Sequence, residues 1–258
     1  MTGNALVVKV SRKTYAARTP GASHTALAGL EFSIPEGQFA CMLGPSGCGK
    51  TTLLNIVSGL DTEVEGAVTF GDQPLGQQAI GYMFQTPRLF PWLTVRDNVR
   101  MVLRDHSDAT GRAEQLLKEM HLEEVMDAFP NRLSGGMQRR VALARAFAAS
   151  PRLLLMDEPF VSLEAPVANQ LRRLLLDIWG GRPTTVLFVT HDLREALCLA
   201  DRVLFLSPSP GRVVLDLPVT LGRPRDPDDP AIDRLQRDLL GRYPDLLAGL
   251  VGVAPEKA

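Results

Sequence analysis

Long apolar runs are missing from this chain. Nowhere do about eighteen apolar residues follow one another, the length a helix needs to cross a bilayer, and the greasiest stretches, such as residues 153–156, are strand-sized. No membrane span is expected. A secretory signal is missing as well, because the opening MTGNALVVKVSRKTYAARTP is broken by Lys9, Arg12, Lys13 and Arg18, and no export is expected. Cysteine is scarce: Cys41, Cys48 and Cys198 are odd in number, scattered and without the CxxC spacing of a metal site, which fits a reducing cytosol. An excess of one charge is absent too. With 28 Lys plus Arg against 29 Asp plus Glu, the formal net charge of -1 draws the chain neither to nucleic acid nor to an acidic membrane surface. No nucleic-acid partner is expected, and neither internal repeats nor low-complexity tracts break the pattern.

What is present is enough for a substantial core: 258 residues, of which 45% are hydrophobic. Residues 5–10 and 38–43 read as strands, the second running into the turn GPSGCGKT and then the apolar-periodic segment TLLNIVSGL. Gly59, Gly66 and Gly71 punctuate the next stretch, where AVTF and AIGYMF suggest short strands before Gln85. From Pro87 to about Ser150 the β-branched runs vanish and helix formers dominate, which reads as an inserted helical subdomain. Strand signals return as RLLLMDE, TTVLFVT and RVLFLS, separated by helical periodicity at residues 163–179 and 193–199, so a parallel α/β sheet is expected. Residues 222–230, GRPRDPDDP, carry too many prolines and charges for helix or inner strand, and a short helical tail starts at Ile232.

The segment Gly44, Pro45, Ser46, Gly47, Cys48, Gly49, Lys50, Thr51 fills every fixed place of the P-loop pattern, between a strand and a helix as that pattern requires. Its glycines let the backbone curl so that successive amides point inward at a helix start, an arrangement that binds phosphate. Lys50 adds a flexible positive charge for the β and γ phosphates of a nucleotide. The Thr51 hydroxyl completes the coordination of a Mg²⁺ ion, and Thr52 extends the cradle. A glycine-rich turn with an incidental lysine would not match all these positions in this context.

RLLLMDE ends an apolar run in two carboxylates, which a buried strand tolerates only where they face a cation or water. Asp157 is then a Mg²⁺ ligand, and Glu158, turned differently, is placed to polarise the attacking water as a general base. His191 directly follows TTVLFVT, at a strand end where ligands of open α/β sheets gather. Taken alone, such a histidine is more often a structural hydrogen-bonding group, and its proposed contact with the γ-phosphate leans on its neighbours.

Leu133, Ser134, Gly135, Gly136, Met137 and Gln138 resemble the signature motif of the ABC ATPases. Together with the P-loop, Gln85, the pair Asp157 and Glu158, and His191 in that order, the resemblance spans about residues 5–215. It implies an α/β P-loop NTPase fold: an ABC-type nucleotide-binding domain with a RecA-like core, a small antiparallel β subdomain and an inserted helical subdomain. The expected division is a nucleotide-binding core of residues 1–86 and 151–220, a helical insertion of 87–150 and a C-terminal extension of 221–258. Ser134 is a good N-cap, and Gly135 and Gly136 leave the first amides of its helix open to an anion. In the family this end completes the ATP site of a second copy, so the implied unit is a two-fold dimer. The resemblance also makes Gln85 a ligand that reaches magnesium and the attacking water, and Tyr15 the aromatic that stacks on adenine.

FQTPRLFPWLTVRDNV, DEPF and THDLREALCLADRV resemble the importer branch that handles nitrate, sulfonates, taurine and related small solutes. This implies ATP and Mg²⁺ as cofactors and integral-membrane permease subunits as partners. It also implies an indirect link to a solute-binding protein and a place at the cytoplasmic face of the inner membrane. Phe90, Pro91 and Trp92 form an apolar knot that suits either helix packing or contact with a permease. One departure stands out: where the family has a small residue and then Ala-Leu-Asp, this chain reads Val161, Ser162, Leu163, Glu164, followed by Ala165 and Pro166. An extruder's ATPase shares the same fold and motifs, and a non-hydrolysing regulatory module is the reading that Glu164 would favour. A soluble ABC ATPase of translation or repair would need two cassettes or a long coiled coil, and neither is present.

Overall fold

The computed structural model describes residues 5–16, 23–71, 73–74, 80–103, 107–182 and 184–251. In chain order its strands are β1 (Ala5–Ala16), β2 (Ser23–Pro35), β3 (Phe39–Leu43), β4 (Glu65–Phe70), β5 (Gln73–Pro74), β6 (Ile80–Met83), β7 (Leu153–Asp157), β8 (Thr185–Val189), β9 (Arg202–Leu206) and β10 (Val213–Pro218). Its helices are α1 (Lys50–Val57), α2 (Val95–Arg100), α3 (Ala109–Glu119), α4 (Gly135–Ala148), α5 (Ala165–Gly180), α6 (Leu193–Leu199) and α7 (Pro230–Arg242). Two compact units result, residues 1–77 with 185–258, and residues 78–184. Among the described residues no helix is long and apolar enough to cross a membrane.

In the first unit an antiparallel sheet runs β2-β1-β4-β5. Leu6, Val8 and Val10 of β1 stand opposite Ile34, Phe32 and Leu30 of β2, so one face of the ladder is apolar and buried while Lys9 and Glu31 point to water. A second set of strands, β3, β8 and β9, is parallel, and β10 closes on β9 in antiparallel sense. FACML and TVLFV are buried at every position, the pattern of strands covered on both faces. The pairing of Met42 with Val189, continued by a bond from Thr190 N to the Met42 oxygen at 3.2 Å, makes the loops after β3 and β8 leave from one carboxyl edge. β2 and β10 are strands that the sequence reading passed over.

Residues 222–229 have irregular backbone, as expected, while Pro230 opens α7 instead of preceding it, and the irregular backbone is well anchored. Arg225, buried, donates to the main-chain oxygens of Leu197 and Leu221, and Arg223 binds Asp201 at 2.7 Å. The helical tail, α7, packs on α6, which packs on β3.

In the second unit β6 and β7 pair in parallel, from Ile80 with Leu153 to Met83 with Met156. Between residues 87 and 150 the described chain holds only helices and 3₁₀ turns, in keeping with the lack of β-branched runs. α2, α3 and α4 pack on one another, α3 burying Ala113, Leu116 and Leu117 at helical spacing. The apolar knot before α2 is set by Asn98, which is wholly buried. Asn98 accepts from Phe90 N at 2.8 Å and donates to the oxygens of Phe90, Leu93 and Thr94. Phe90 meets Trp92 edge-on with ring centroids 5.3 Å apart, and Trp92 remains 69% exposed.

α5 starts at Glu164, which has the extended backbone of an N-cap but makes no side-chain cap bond; its carboxylate stands one methylene further out than that of Asp.

Two stability outcomes follow from these elements. Asn98→Ala strips the knot of its buried amide and is expected to destabilise the chain by about 1–3 kcal/mol, read from the denaturant midpoint of the helical signal. An unchanged midpoint would show that water replaces the amide. Glu164→Asp is expected to supply the missing cap and add roughly 0.5–1 kcal/mol, read as a higher Tm, whereas an unchanged Tm would mean that the loop holds the carboxylate away from the helix start.

Candidate functional site

The loop after β3 curls through Gly47 (φ 78°) and Gly49 (φ 100°), left-handed angles that a side chain disfavours. A Cβ on Gly49 would also stand 2.6 Å from Leu27 Cδ2. The loop is braced from β2 by Ala26 and Leu27 and from behind by Gly211, whose N–H donates to the Ala26 oxygen at 2.9 Å. A Cβ on Gly211 would lie 2.1 Å from the Cys48 oxygen, so glycine is required there. The Cys48 side chain turns inward and is fully buried, burial pushes its thiol up from the ordinary value, and its N–H donates to the Pro45 oxygen at 3.3 Å. Cys48 therefore shapes the loop, while Ser46, Gly47 and Thr51 face outward.

α1 starts here with glycine as its cap, no side chain on its first amides and no acidic residue in its first turn. Those amides are open to an anion, and the helix dipole favours one. Lys50 lies over the loop, its Nζ donating to the oxygens of Gly44 at 2.7 Å and Pro45 at 3.1 Å. This donor set suits phosphate, and the Thr51 hydroxyl beside it is a hard oxygen of the kind Mg²⁺ takes.

Tyr15 stands at the same helix start. Its phenol donates to Asp61 Oδ2 at 2.7 Å and shares a hydrogen bond with Thr52. Burial, with Asp61 adding and Thr52 opposing, holds the phenol above its ordinary value. Lys13, buried, bonds Asp61 Oδ1 at 2.6 Å and sits 4.6 Å from the centre of the tyrosine ring. The aromatic is thus fixed and 37% exposed. His191, exposed, leaves the carboxyl edge shared by β3 and β8. Its flanks are rigid: Thr190 donates to Glu195 Oε2 at 2.6 Å and accepts from Asp192 N, while Asp192 caps α6.

The second unit holds the other sequence-derived residues. Gln85 follows β6 and Asp157 ends β7, so both emerge from one edge of that parallel pair. Asp157 is 7% exposed, and its charge adds to burial in raising the Tyr82 phenol well above its ordinary value. Glu158 adopts a left-handed φ of 43°, directly after the end of β7. Arg139, which the sequence reading did not single out, donates to the main-chain oxygens of Gln85 at 2.9 Å, Val161 at 2.8 Å and Pro159.

Arg139 belongs to α4, whose N-cap Ser134 accepts from Met137 N at 3.2 Å. Ser134 and Gly135 are exposed, no acidic residue occupies the first turn, and a Cβ on Gly135 would meet nothing within 4 Å. At Gly136 a Cβ would press on Val167 Cγ1 at 2.8 Å, so that glycine lets α5 come close. α4 thus offers a second helix start open to an anion.

The ABC transporter family matches residues 27–161. An aliphatic sulfonates import ATP-binding protein, SsuB 2, of Burkholderia lata is 42% identical over 243 residues, covering 93% of this chain and 87% of that protein. The SsuB of Bacillus subtilis is 38% identical over 92% of this chain and 94% of its own length. Among solved structures, the dimeric ATP-binding cassette MJ0796 in a post-hydrolysis state with ADP and phosphate superposes with a TM-score of 0.74. It is 30% identical and covers 84% of this chain and 100% of its own. The open helix starts, the strand-end carboxylates and these likenesses agree: the chain belongs to the ABC transporter family, as one of the subunits that bind and hydrolyse ATP.

Proposed function

We propose that this chain energises an importer of small organic solutes, such as sulfonates, taurine or nitrate. It would work as a two-fold pair of copies at the cytoplasmic face of the cell membrane, beneath separate permease subunits that a solute-binding protein supplies. The observation that carries this reading is that one chain presents two exposed, acid-free helix starts, at α1 and α4. The first grips nucleotide by itself, and the second serves the nucleotide of another copy. The dimeric state of the solved cassette supports the pairing, and the names of the sulfonate-import relatives support the solute class.

In this reading residues 44–52 cradle the phosphates through their amides, with Lys50 as the mobile charge, and Tyr15 offers a ring face to adenine. Thr51, Asp157 and Gln85 would hold Mg²⁺, which would neutralise charge on the triphosphate. Glu158 accepts the proton of the attacking water, and His191 donates to the γ-phosphate. Ser134, Gly135 and Gly136 of one copy close over the nucleotide of the other. Closure carries the helical insertion, residues 87–150, and with it the exposed Trp92 against the permease, while the core of 1–86 and 151–220 keeps its grip. Hydrolysis resets the pair.

Glu158→Gln is expected to lower kcat by about 100-fold or more with little change in KM, and to let a MgATP-dependent dimer accumulate, seen by light scattering. Unaltered turnover would remove Glu158 from the role of base. Assembled in liposomes with the permease subunits encoded beside it, the chain is expected to drive ATP-dependent uptake of an alkanesulfonate. ATP-driven efflux instead would overturn the import assignment, and uptake of another solute alone would correct the solute class.

A further inference from the structure

Arg139 lies five residues beyond Ser134 on α4 and is only 8% exposed. Burial pulls its guanidinium below the ordinary value, but arginine stays charged, and a charge placed there demands strong acceptors. It finds them in the main-chain oxygens of Gln85, Pro159 and Val161. These three oxygens belong to two loops, one carrying Gln85 and the other forming the turn directly after Glu158. The left-handed backbone of Glu158 is unfavourable for a residue with a side chain and persists only where the surroundings enforce it. The bonds within that turn are long, Val161 N to the Glu158 oxygen at 3.2 Å and Leu163 N to the Phe160 oxygen at 3.4 Å. Two bonds from Arg139, to the Pro159 and Val161 oxygens, hold the same turn from outside it. Six residues further along α4, Arg145 donates to the oxygens of Pro87 and Arg88, each at 2.9 Å, so the same helix holds both ends of the loop at residues 85–88.

We propose that Arg139 is a positioning residue that ties the exposed start of α4 to Glu158 and Gln85, so that seating this helix on a second copy's nucleotide sets the geometry for hydrolysis. The proposal rests on the reading of Glu158 as the base. A planar guanidinium with five donors holds three carbonyls lying in two directions, which the single ammonium of lysine and the one amide of glutamine cannot do.

The test compares the full chain with Arg139→Lys and Arg139→Gln. In nucleotide-free protein, hydrogen exchange at the Val161 and Leu163 amides is expected to rise at least about tenfold in Arg139→Gln and by less in Arg139→Lys. With MgATP, kcat is expected to fall at least about tenfold in Arg139→Gln, again by less in Arg139→Lys, while KM stays within about threefold. Unchanged exchange with unchanged kcat overturns the proposal, and so does a raised KM with kcat intact. If Arg139→Gln fails to fold, wild-type exchange and turnover in Arg139→Lys overturn it, and failure of both variants to fold makes Arg139 a stability residue only, which overturns it too. An inactive wild type would count against the proposed function, while the exchange rates would still judge the clamp.

Discussion

Backbone N–H groups in the first turn of a helix have no partner inside the helix, and most proteins satisfy them with a side chain or with water. Here α1 does without a side-chain cap and without acids. Leaving donors open is tolerable only at an exposed end, and the loop at residues 44–49 provides one because its glycines take angles that other residues resist. The arrangement is expensive in backbone freedom, so it needs bracing from outside the loop. β2 and Gly211 give that bracing through contacts with residues far away in sequence.

Parallel strand pairs then fix what surrounds the open amides. In a parallel pair both chains leave by the same edge, so a register shared by two strands is also a register shared by the loops that follow them. β3 and β8 bring the phosphate loop and His191 to one edge of the first unit, and β6 and β7 bring Gln85 and Asp157 to one edge of the second. The strands are apolar at nearly every position because they are covered on both faces. A polar residue directly after such a run therefore stands where the burial ends.

That regularity is why much of the molecule was legible in the sequence. The phosphate loop, Asp157 with Glu158, and His191 each follow a short apolar run, and the open helix start at Ser134 has a cap followed by two glycines. β2 was legible but unread, since Leu30, Glu31, Phe32, Ser33 and Ile34 alternate as a half-buried strand must. β10 was harder, for its residues are half-buried at most and proline ends it. The bracing residues had no local signal at all. Lys13 meets Asp61 across 48 positions and Arg139 meets Gln85 across 54, and nothing in a sequence window of helical or strand length connects them. Arg139 in particular stands beside Arg140 in an otherwise ordinary helical segment, and nothing local tells which of the two is buried.

The C-terminal segment shows how far such bracing extends. α6, which begins two residues after His191, has only seven residues, and a helix that short is unstable without outside help. Asp192 satisfies its first amides, and Thr190 ties the strand end to Glu195 one turn along. Its last carbonyls are taken by arginines from beyond β10, Arg225 on Leu197 and Arg223 on Leu199. Positive charge at the carboxyl end of a helix also suits the helix dipole. A charged, proline-rich stretch that reads as neither helix nor inner strand in the sequence thus caps the helix that follows His191, and the first unit is complete only when this late segment has folded back onto it.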